Sequence, residues 1–369
     1  MLICSCLSPM KEINLTRRKL VSLFEDTEAC AKTIDLVYVT DADPGITREY
    51  RNGEFLYCYN NKPVADELTL LRIRKLAVPP AWRNVWICAK ENGHLQATGL
   101  DARNRKQYRY HSLWNILRQQ TKFSHLYEFG KALPAIRQKI DEHLHLAGLP
   151  PEKVLAAIVS IIQMTGIRTG NSQYEKLYGS FGLTTLKDKH VSLTGNTVQF
   201  HFMGKKGVQH NISLKDRRLA RIVKNCRDLP GKELFQYLDA DGNRHSVDSG
   251  MLNDYIRDIS GGRFTAKDFR TWEGTLHALE AFRKRECEEE GDRKKSMIAA
   301  IDEVAGKLGN TRTVCRNYYI HPVIINHFSN ATLSRYFNGV NTGNSSYNAE
   351  ELALMQILED ERKVTIPLD

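Results

Sequence analysis

The sequence predicts an α+β protein in two parts: a small β-rich N-terminal domain over residues 1–116, and a larger, mainly α-helical domain over residues 117–369 that carries a three-stranded antiparallel sheet. Three observations lead there. A chain of 369 residues is longer than most single cores, so two domains are expected. From about residue 36 to 111, runs rich in Val, Tyr and Ile are separated by Asn-Gly and Gly-Leu-Asp turn signals, the pattern of short strands. Beyond about 115 the apolar residues recur at helical spacing, apart from one island of alternation.

Taken in order, residues 11 to 33 read as one or two short helices. The first nine residues, MLICSCLSP, fit poorly ahead of them, and Met10 is an alternative start. Strands follow in LVYVTDADPG, YRNGEFLYCYNNKPV and VWICAKENGHLQATGLD, and the first domain closes near LDARNRKQYRYHSLW. FSHLYEFGKALPAIRQKIDEHLHLAG and PPEKVLAAIVSIIQMTG are helical, with Pro150-Pro151 suited to a helix start. The alternating island, HVSLTGNTVQFHFMGKKGVQHNISL, supplies the three-stranded sheet, its turns marked by Gly-Asn and Gly-Lys-Lys-Gly. Helices resume in KDRRLARIVKNC, FTAKDFRTWEGTLHALEAFRKREC, KKSMIAAIDEVAGKLG and TRTVCRNYYIHPVIINHF. A tail from about 340 starts polar and ends in the helical patch LALMQILED.

Lys and Arg outnumber Asp and Glu by 53 to 43, and the net charge of +10 favours a polyanionic partner, nucleic acid first and an acidic membrane second. The eight cysteines form no CxxC pair, and Cys4/Cys6 has no second pair at zinc-site spacing. Free thiols in a reducing cytosol are therefore expected. No run of eighteen apolar residues exists, so no transmembrane helix is expected, and the N-terminus lacks the basic flank and length of a secretory signal.

The chain has no GxxxxGK[ST] phosphate loop, no GxGxxG after a strand and no HExxH, which removes the common nucleotide cradles and a familiar metal cage. What it offers instead is cations and tyrosines. Arg168 in TGIRTGN follows a strongly apolar helix beside glycines, either as a rigidly held phosphate ligand or as a solvated helix end. Lys205 sits at the tip of a predicted hairpin, Lys267 and Arg270 share one face of a helix, and Asn310 in KLGNTR reads as a helix cap. Each has a plain structural explanation taken alone. Together they match what phosphoryl transfer to a tyrosine needs. Two guanidiniums can hold the negative charge that builds on a phosphodiester under attack. A lysine can protonate the leaving oxygen, and a neutral amide can donate to a non-bridging oxygen. A tyrosine of ordinary pKa is under ~1% ionised at neutral pH, so cationic surroundings are required. In TVCRNYYIHP, nothing local decides between Tyr318 and Tyr319.

The blocks IRTGN, FMGKKG, TAKDFRTW and LGNTRTVCRNYYIHP occur in an order that resembles the signature of type IB DNA topoisomerases, in their bacterial and poxvirus-like small form. AVPPAWRNVWIC and GLDARNRKQYRYH extend the resemblance upstream, so that it covers roughly residues 35 to 330. The resemblance implies the tyrosine recombinase/topoisomerase IB-like fold and a nucleophile at Tyr319, directly before Ile-His-Pro. It implies Arg168 and Arg270 as phosphate-clamping arginines, Lys205 as general acid, Lys267 as auxiliary proton donor, and Asn310 where poxvirus-type members have histidine. Gln107, Tyr108 and Tyr110 in the basic-aromatic strand KQYRYH match the groove- and phosphate-contacting segment, and Gly170 and Tyr174 match DNA-contacting positions. Two departures stand out: the chain reads Arg316-Asn317-Tyr318-Tyr319 where bacterial members more often have Arg-Lys-small-Tyr, and Phe181 replaces a common tyrosine.

The function implied is relaxation of supercoiled double-stranded DNA by a two-domain clamp, through transient single-strand cleavage, a 3′-phosphotyrosyl intermediate and religation. Energy is kept in the phosphotyrosyl ester, so neither ATP, another nucleotide, nor a metal cofactor is expected. The enzyme is expected to act as a monomer, away from membranes, in the cytoplasm, and on the nucleoid if the host is bacterial. A tyrosine recombinase shares this chemistry, but recombinases typically carry His-x-x-Arg where this chain has Lys267-Asp268-Phe269-Arg270. A non-catalytic basic DNA-binding protein is the other alternative, and it would lack a member of the set.

Overall fold

A computed structural model of the chain describes residues 12–286, 290–339, 342–343, 345–361 and 363–367. The alternative start at Met10, the thiols Cys4, Cys6 and Cys287, and parts of the tail from 340 lie outside the described residues. Thr16 closes a short strand, β1 (Glu12–Thr16), and caps α1 (Arg17–Glu25) by accepting from the Lys19 amide. Asp26 caps α2 (Thr27–Thr33) in the same way through Ala29. The expected N-terminal helices are therefore present, with a strand ahead of them.

Strands β2 (Gly45–Arg51) and β3 (Glu54–Tyr59) form a hairpin across Asn52-Gly53, both at positive φ, as a tight Asn-Gly turn requires. After β4 (Lys62–Pro63), a helix interrupts the stretch read as strands: α3 (Glu67–Lys75), capped by Asp66 accepting from the Thr69 amide at 2.8 Å. Strands β5 (Arg83–Cys88), β6 (Leu95–Leu100) and β7 (Lys106–Tyr110) complete an antiparallel six-stranded sheet in the order β4-β3-β2-β5-β6-β7. Ile73 of α3 packs with Ile46, Val85, Ile87 and Ala97 of the strands.

Helix α4 (Ser112–Leu144) places Trp114 and Leu117 among Leu20, Leu23 and Ile34. Because its first turns are part of that cluster, one compact unit extends to His125, and Leu126–Glu361 form the other. The sequence sets this division at 116/117, two to three turns earlier.

The second unit is built around α5 (Pro151–Thr165), which has Pro151 at its first position and Gly166 in the left-handed region at its end. Next come α6 (Ser172–Tyr178), capped by Asn171, and β8 (Val191–Thr194), β9 (Thr197–Met203) and β10 (Gln209–Lys215). These strands form the antiparallel three-stranded sheet expected from their alternation, in the order β10-β9-β8. Helix α7 (Arg217–Arg227) leads to a hairpin, β11 (Gln236–Leu238) and β12 (Arg244–Ser246), that the periodicity did not indicate. Then follow α8 (Ser249–Ser260), α9 (Ala266–Arg283), α10 (Glu290–Leu308), α11 (Arg312–Tyr318), α12 (Pro322–Ser329) and α13 (Ala349–Asp360). α9 is the hub, packing against α5, α8, α10, α12 and α13. Finally β13 (Lys363–Pro367) pairs antiparallel with β1 as part of the first unit. Among the described residues, no helix is long and apolar enough to cross a membrane.

Candidate active site

Four segments of the second unit converge on one tyrosine. Arg168 lies just beyond α5, where buried Ile167 anchors the loop. Backbone hydrogen bonds from Leu183 N–H to Arg168 O (2.9 Å) and from Thr184 N–H to Thr169 O (2.6 Å) pin the loop to the segment after Gly182. Gly170 adopts φ +110°, and a side chain there would lie 2.9 Å from Thr185 Oγ1 and 3.1 Å from the Gly182 backbone. Only glycine accepts both that conformation and that approach. IRTGN is thus an apolar anchor, an arginine and a backbone hinge pressed against its neighbour.

Arg270 is placed by the start of α9. The Asp268 carboxylate accepts from the Thr265 amide (2.8 Å) and hydroxyl (2.9 Å), a side-chain cap encoded by TAKD. Arg270 then falls on the packed face, 4% exposed, where Nη2 donates to Leu308 O at 3.1 Å. That carbonyl ends α10, where Gly309 turns left-handed (φ +60°). Gly309 N–H bonds to Gly306 O and Asn310 N–H to Ala305 O, the double closure of a Schellman end. Asn310 is therefore fixed by a helix C-terminus, while Thr311, not Asn310, caps α11.

Tyr319 ends α11. Its backbone rests on α9, where Thr275 Oγ1 lies 3.2 Å from Tyr319 O and accepts from His321 N–H at 3.2 Å. His321 caps α12 through the Val323 amide, and Pro322 opens that helix, so Ile-His-Pro is a turn into the next helix. Tyr319 is 6% exposed and its neighbour Tyr318 is 53% exposed.

Arg168 Nη1 donates to the Tyr319 hydroxyl at 3.1 Å, and Arg168 Nη2 donates to Asn310 Oδ1. The Arg168 and Arg270 guanidinium carbons stand 6.0 and 5.0 Å from the Tyr319 ring centroid. Burial pushes the phenol pKa up, but Arg270 and Arg168 together outweigh it and leave Tyr319 below the usual tyrosine value. Among the described residues, the partners of the two guanidiniums are a phenol, an amide oxygen and a peptide carbonyl, none of them anionic. Two donors remain buried without an acceptor: Arg270 Nε and Asn310 Nδ2. A buried donor without an acceptor is costly. A site with two such donors beside two cations is built to receive an anion with several oxygens.

Comparison with known proteins agrees with that chemistry. Residues 107–335, more than half of the chain, match the family described as eukaryotic DNA topoisomerase I, catalytic core. Residues 54–101 match the bacterial DNA topoisomerase IB N-terminal domain. The chain is 31% identical over 330 residues to the DNA topoisomerase 1B of Acanthamoeba polyphaga mimivirus, covering 86% of this chain and 96% of that protein. The DNA topoisomerase I of monkeypox virus is 22% identical over 231 residues, 62% of this chain and 70% of its own. Vaccinia virus (strain Copenhagen) DNA topoisomerase 1B gives the same figures.

The chain belongs to the type IB DNA topoisomerase family.

It is an isomerase of DNA topology, and DNA is its substrate. In this topoisomerase, Arg168, Arg270, Asn310 and Tyr319 meet directly. Lys205 opens the exposed turn Lys205–Gly207 between β9 and β10, which Gly204 N–H closes onto Val208 O at 2.7 Å. Lys267 is exposed one turn before Arg270 on α9. Tyr174 is exposed on α6, its ring 5.8 Å from that of Tyr178. In the first unit, Tyr108 and Tyr110 stack on one face of edge strand β7, centroids 5.9 Å apart. Gln107, grouped with them by resemblance, points to the opposite face because side chains alternate along a strand. There its amide donates to Asp101 at 3.0 Å. Among the described residues, no group of three or more His, Cys, Asp or Glu is arranged to hold a metal ion.

Gly274 and Thr275, which seat Tyr319 on α9, were not singled out by sequence reasoning. The available signal was a pair of small residues one turn after Arg270 in an otherwise bulky helix.

Proposed function

We propose that Tyr319 is the nucleophile with which this topoisomerase opens one strand of duplex DNA. The Tyr319 hydroxyl gives up its proton to water, its oxygen attacks the phosphorus, the P–O5′ bond breaks, and the strand is held as a 3′-phosphotyrosyl ester while the 5′-hydroxyl end rotates. Religation reverses these bond changes and both proton transfers. Arg168 and Arg270 bind the non-bridging oxygens, Asn310 donates a further hydrogen bond to one of them, and Lys205 protonates the leaving O5′, assisted by Lys267. Tyr108, Tyr110, Tyr174 and the Gly170 loop contact the duplex.

The observation that carries this reading is the buried Tyr319 hydroxyl faced by two guanidiniums with neutral partners, beside the unpaired donors Arg270 Nε and Asn310 Nδ2. Charge that a metal would neutralise elsewhere is met here by guanidiniums. The ester conserves the bond energy, so ATP- and metal-independence, in a monomer acting in the cytoplasm, completes the proposal.

The test is covalent capture on a duplex whose downstream strand is lost after cleavage. Tyr319→Phe abolishes capture and Tyr318→Phe retains it, and plasmids of both supercoil signs relax in EDTA without ATP. An adduct mapped to Tyr318, or a chemical step that requires Mg²⁺, overturns the reading.

A further inference from the structure

His210 lies on β10 opposite Phe202 of β9, and its imidazole stacks on that ring with centroids 4.8 Å apart and planes 17° apart. The ring occupies the space that side chains would need at two glycines. A methyl group at Gly204 would sit 2.6 Å from its Cδ2 and Nε2, and one at Gly309 would sit 2.5 Å from its Cε1. Both glycines immediately precede a residue of the proposed chemistry, Lys205 and Asn310. His210 therefore touches the base of the lysine turn on one side and the Schellman end carrying Asn310 on the other. The turn is short and closed by Gly204 N–H to Val208 O and Gly207 N–H to Gly204 O, so a contact at Gly204 sets where the turn begins. Burial first, then the fields of Arg270 and Arg168, hold the imidazole below the usual histidine pKa. Its part is that of an uncharged ring.

We propose that His210 is a positioning residue for strand cleavage: a flat spacer between Gly204 and Gly309 that sets the Lys205 turn at working distance from the Asn310 segment. The inference rests on the reading of Lys205 as general acid. Displacement of a catalytic group by about 1 Å can cost on the order of 10²-fold in rate. Removing the ring lets the turn move in this range while leaving the guanidiniums and Tyr319 in place. The loss therefore falls on proton delivery to O5′.

The experiment uses the full-length protein and two duplexes, one with the natural 5′ oxygen and one with a 5′ sulfur leaving group, whose low pKa removes the need for a proton. His210→Ala is expected to slow single-turnover cleavage of the oxygen substrate by about 10–10²-fold. It should cleave the sulfur substrate within a few-fold of wild type, as Lys205→Ala does. His210→Phe, which keeps a flat ring, should restore most of the rate on oxygen. His210→Gln, close in volume but not flat, should behave like His210→Ala, and it serves if the alanine variant does not fold. A His210→Ala or His210→Gln enzyme that cleaves the oxygen substrate within two-fold of wild type overturns the inference. So does a defect that sulfur leaves in place while rescuing Lys205→Ala, and this result spares the general-acid reading. If sulfur does not rescue Lys205→Ala, the general-acid reading falls and the inference falls with it.

Discussion

Gly274→Ala tests whether the seat of Tyr319 on α9 sets the rate of cleavage. Gly274 is one turn beyond Arg270, and a methyl group there would lie 2.7 Å from Tyr319 O and 3.0 Å from both Tyr319 Cβ and Leu308 Cδ1. Comfortable carbon contacts begin near 3.5 Å, so Tyr319 must retreat by roughly 0.5–1 Å. Retreat also stretches the Tyr319 O to Thr275 Oγ1 contact, which stands at 3.2 Å. A shift of this size should slow cleavage by about 10–10²-fold. Stability moves far less. Alanine gains about 1 kcal/mol of helix propensity over glycine, against an overpacking cost of about 1–3 kcal/mol, so the net loss is about 0–2 kcal/mol. Gly306→Ala is the matched control, since a methyl group there meets nothing within 4 Å. It should raise the melting temperature by about 2–4 °C and leave cleavage unchanged. Single-turnover cleavage and thermal melts of the two variants give the answer. A folded Gly274→Ala enzyme that cleaves within two-fold of wild type refutes the reasoning.

Two further outcomes are expected. Arg270→Lys keeps a cation but loses the planar fork that reaches Leu308 O and leaves Nε for the phosphate. Cleavage should fall on the order of 10²–10³-fold, and a loss of less than tenfold would count against a forked contact. The second concerns Glu273 of α9, whose carboxyl is pushed up to about 8, by burial first and then by the charge of Glu351. A folded-state value above the ordinary one favours the protonated form. This stabilisation is complete below the ordinary carboxyl pKa and is lost as pH rises through about 8. Urea midpoints of the wild type should therefore drop between pH 6 and 9 more than those of Glu273→Gln. Parallel pH profiles of the two proteins would contradict this.

The parts of this molecule that could be read from the sequence are those whose signals are local. Asn52-Gly53 announced its hairpin, the alternation of residues 191–215 its three-stranded sheet, and the apolar run of 151–165 the central helix. Helix α3 was hidden because Leu68 and Leu71 stay exposed at 77% and 46%, so no apolar stripe marks it, although Asp66 and Thr69 carry a cap signal. The β1–β13 pairing joins opposite ends of the chain and has no local signal at all. The site shows the same division. Cations and tyrosines could be inventoried from composition and order, but Arg168 and Tyr319 are 151 positions apart, and only the fold brings them to 3.1 Å. Tyr318 is the last residue of α11 and Tyr319, one step further along the chain, is its non-helical cap. That step separates a half-exposed ring from a buried hydroxyl held by an arginine. Gln107 shows what alternation alone can give: it faces away from Tyr108 and donates to Asp101.

The charge balance of the site explains why so much cation is kept unpaired inside it. Among the described residues nothing anionic bonds to Arg168 or Arg270, and their charge lowers the Tyr319 pKa against the pull of burial. A bound phosphodiester brings one negative charge, which matches one guanidinium and leaves the other in surplus. In the proposed reaction, attack by the phenolic oxygen adds a second negative charge to the phosphoryl group. The pair of arginines then finds its full counterpart, and the unpaired donors Arg270 Nε and Asn310 Nδ2 offer further contacts to its oxygens. Interactions stronger in the transition state than in the bound state accelerate the chemical step, whereas those equal in both only tighten binding. A carboxylate placed beside either arginine would neutralise it before the phosphodiester binds and remove that difference. On the proposed mechanism, the neutral partners leave both charges available to the phosphoryl group, and a variant with a carboxylate beside either arginine should cleave more slowly in a single-turnover assay.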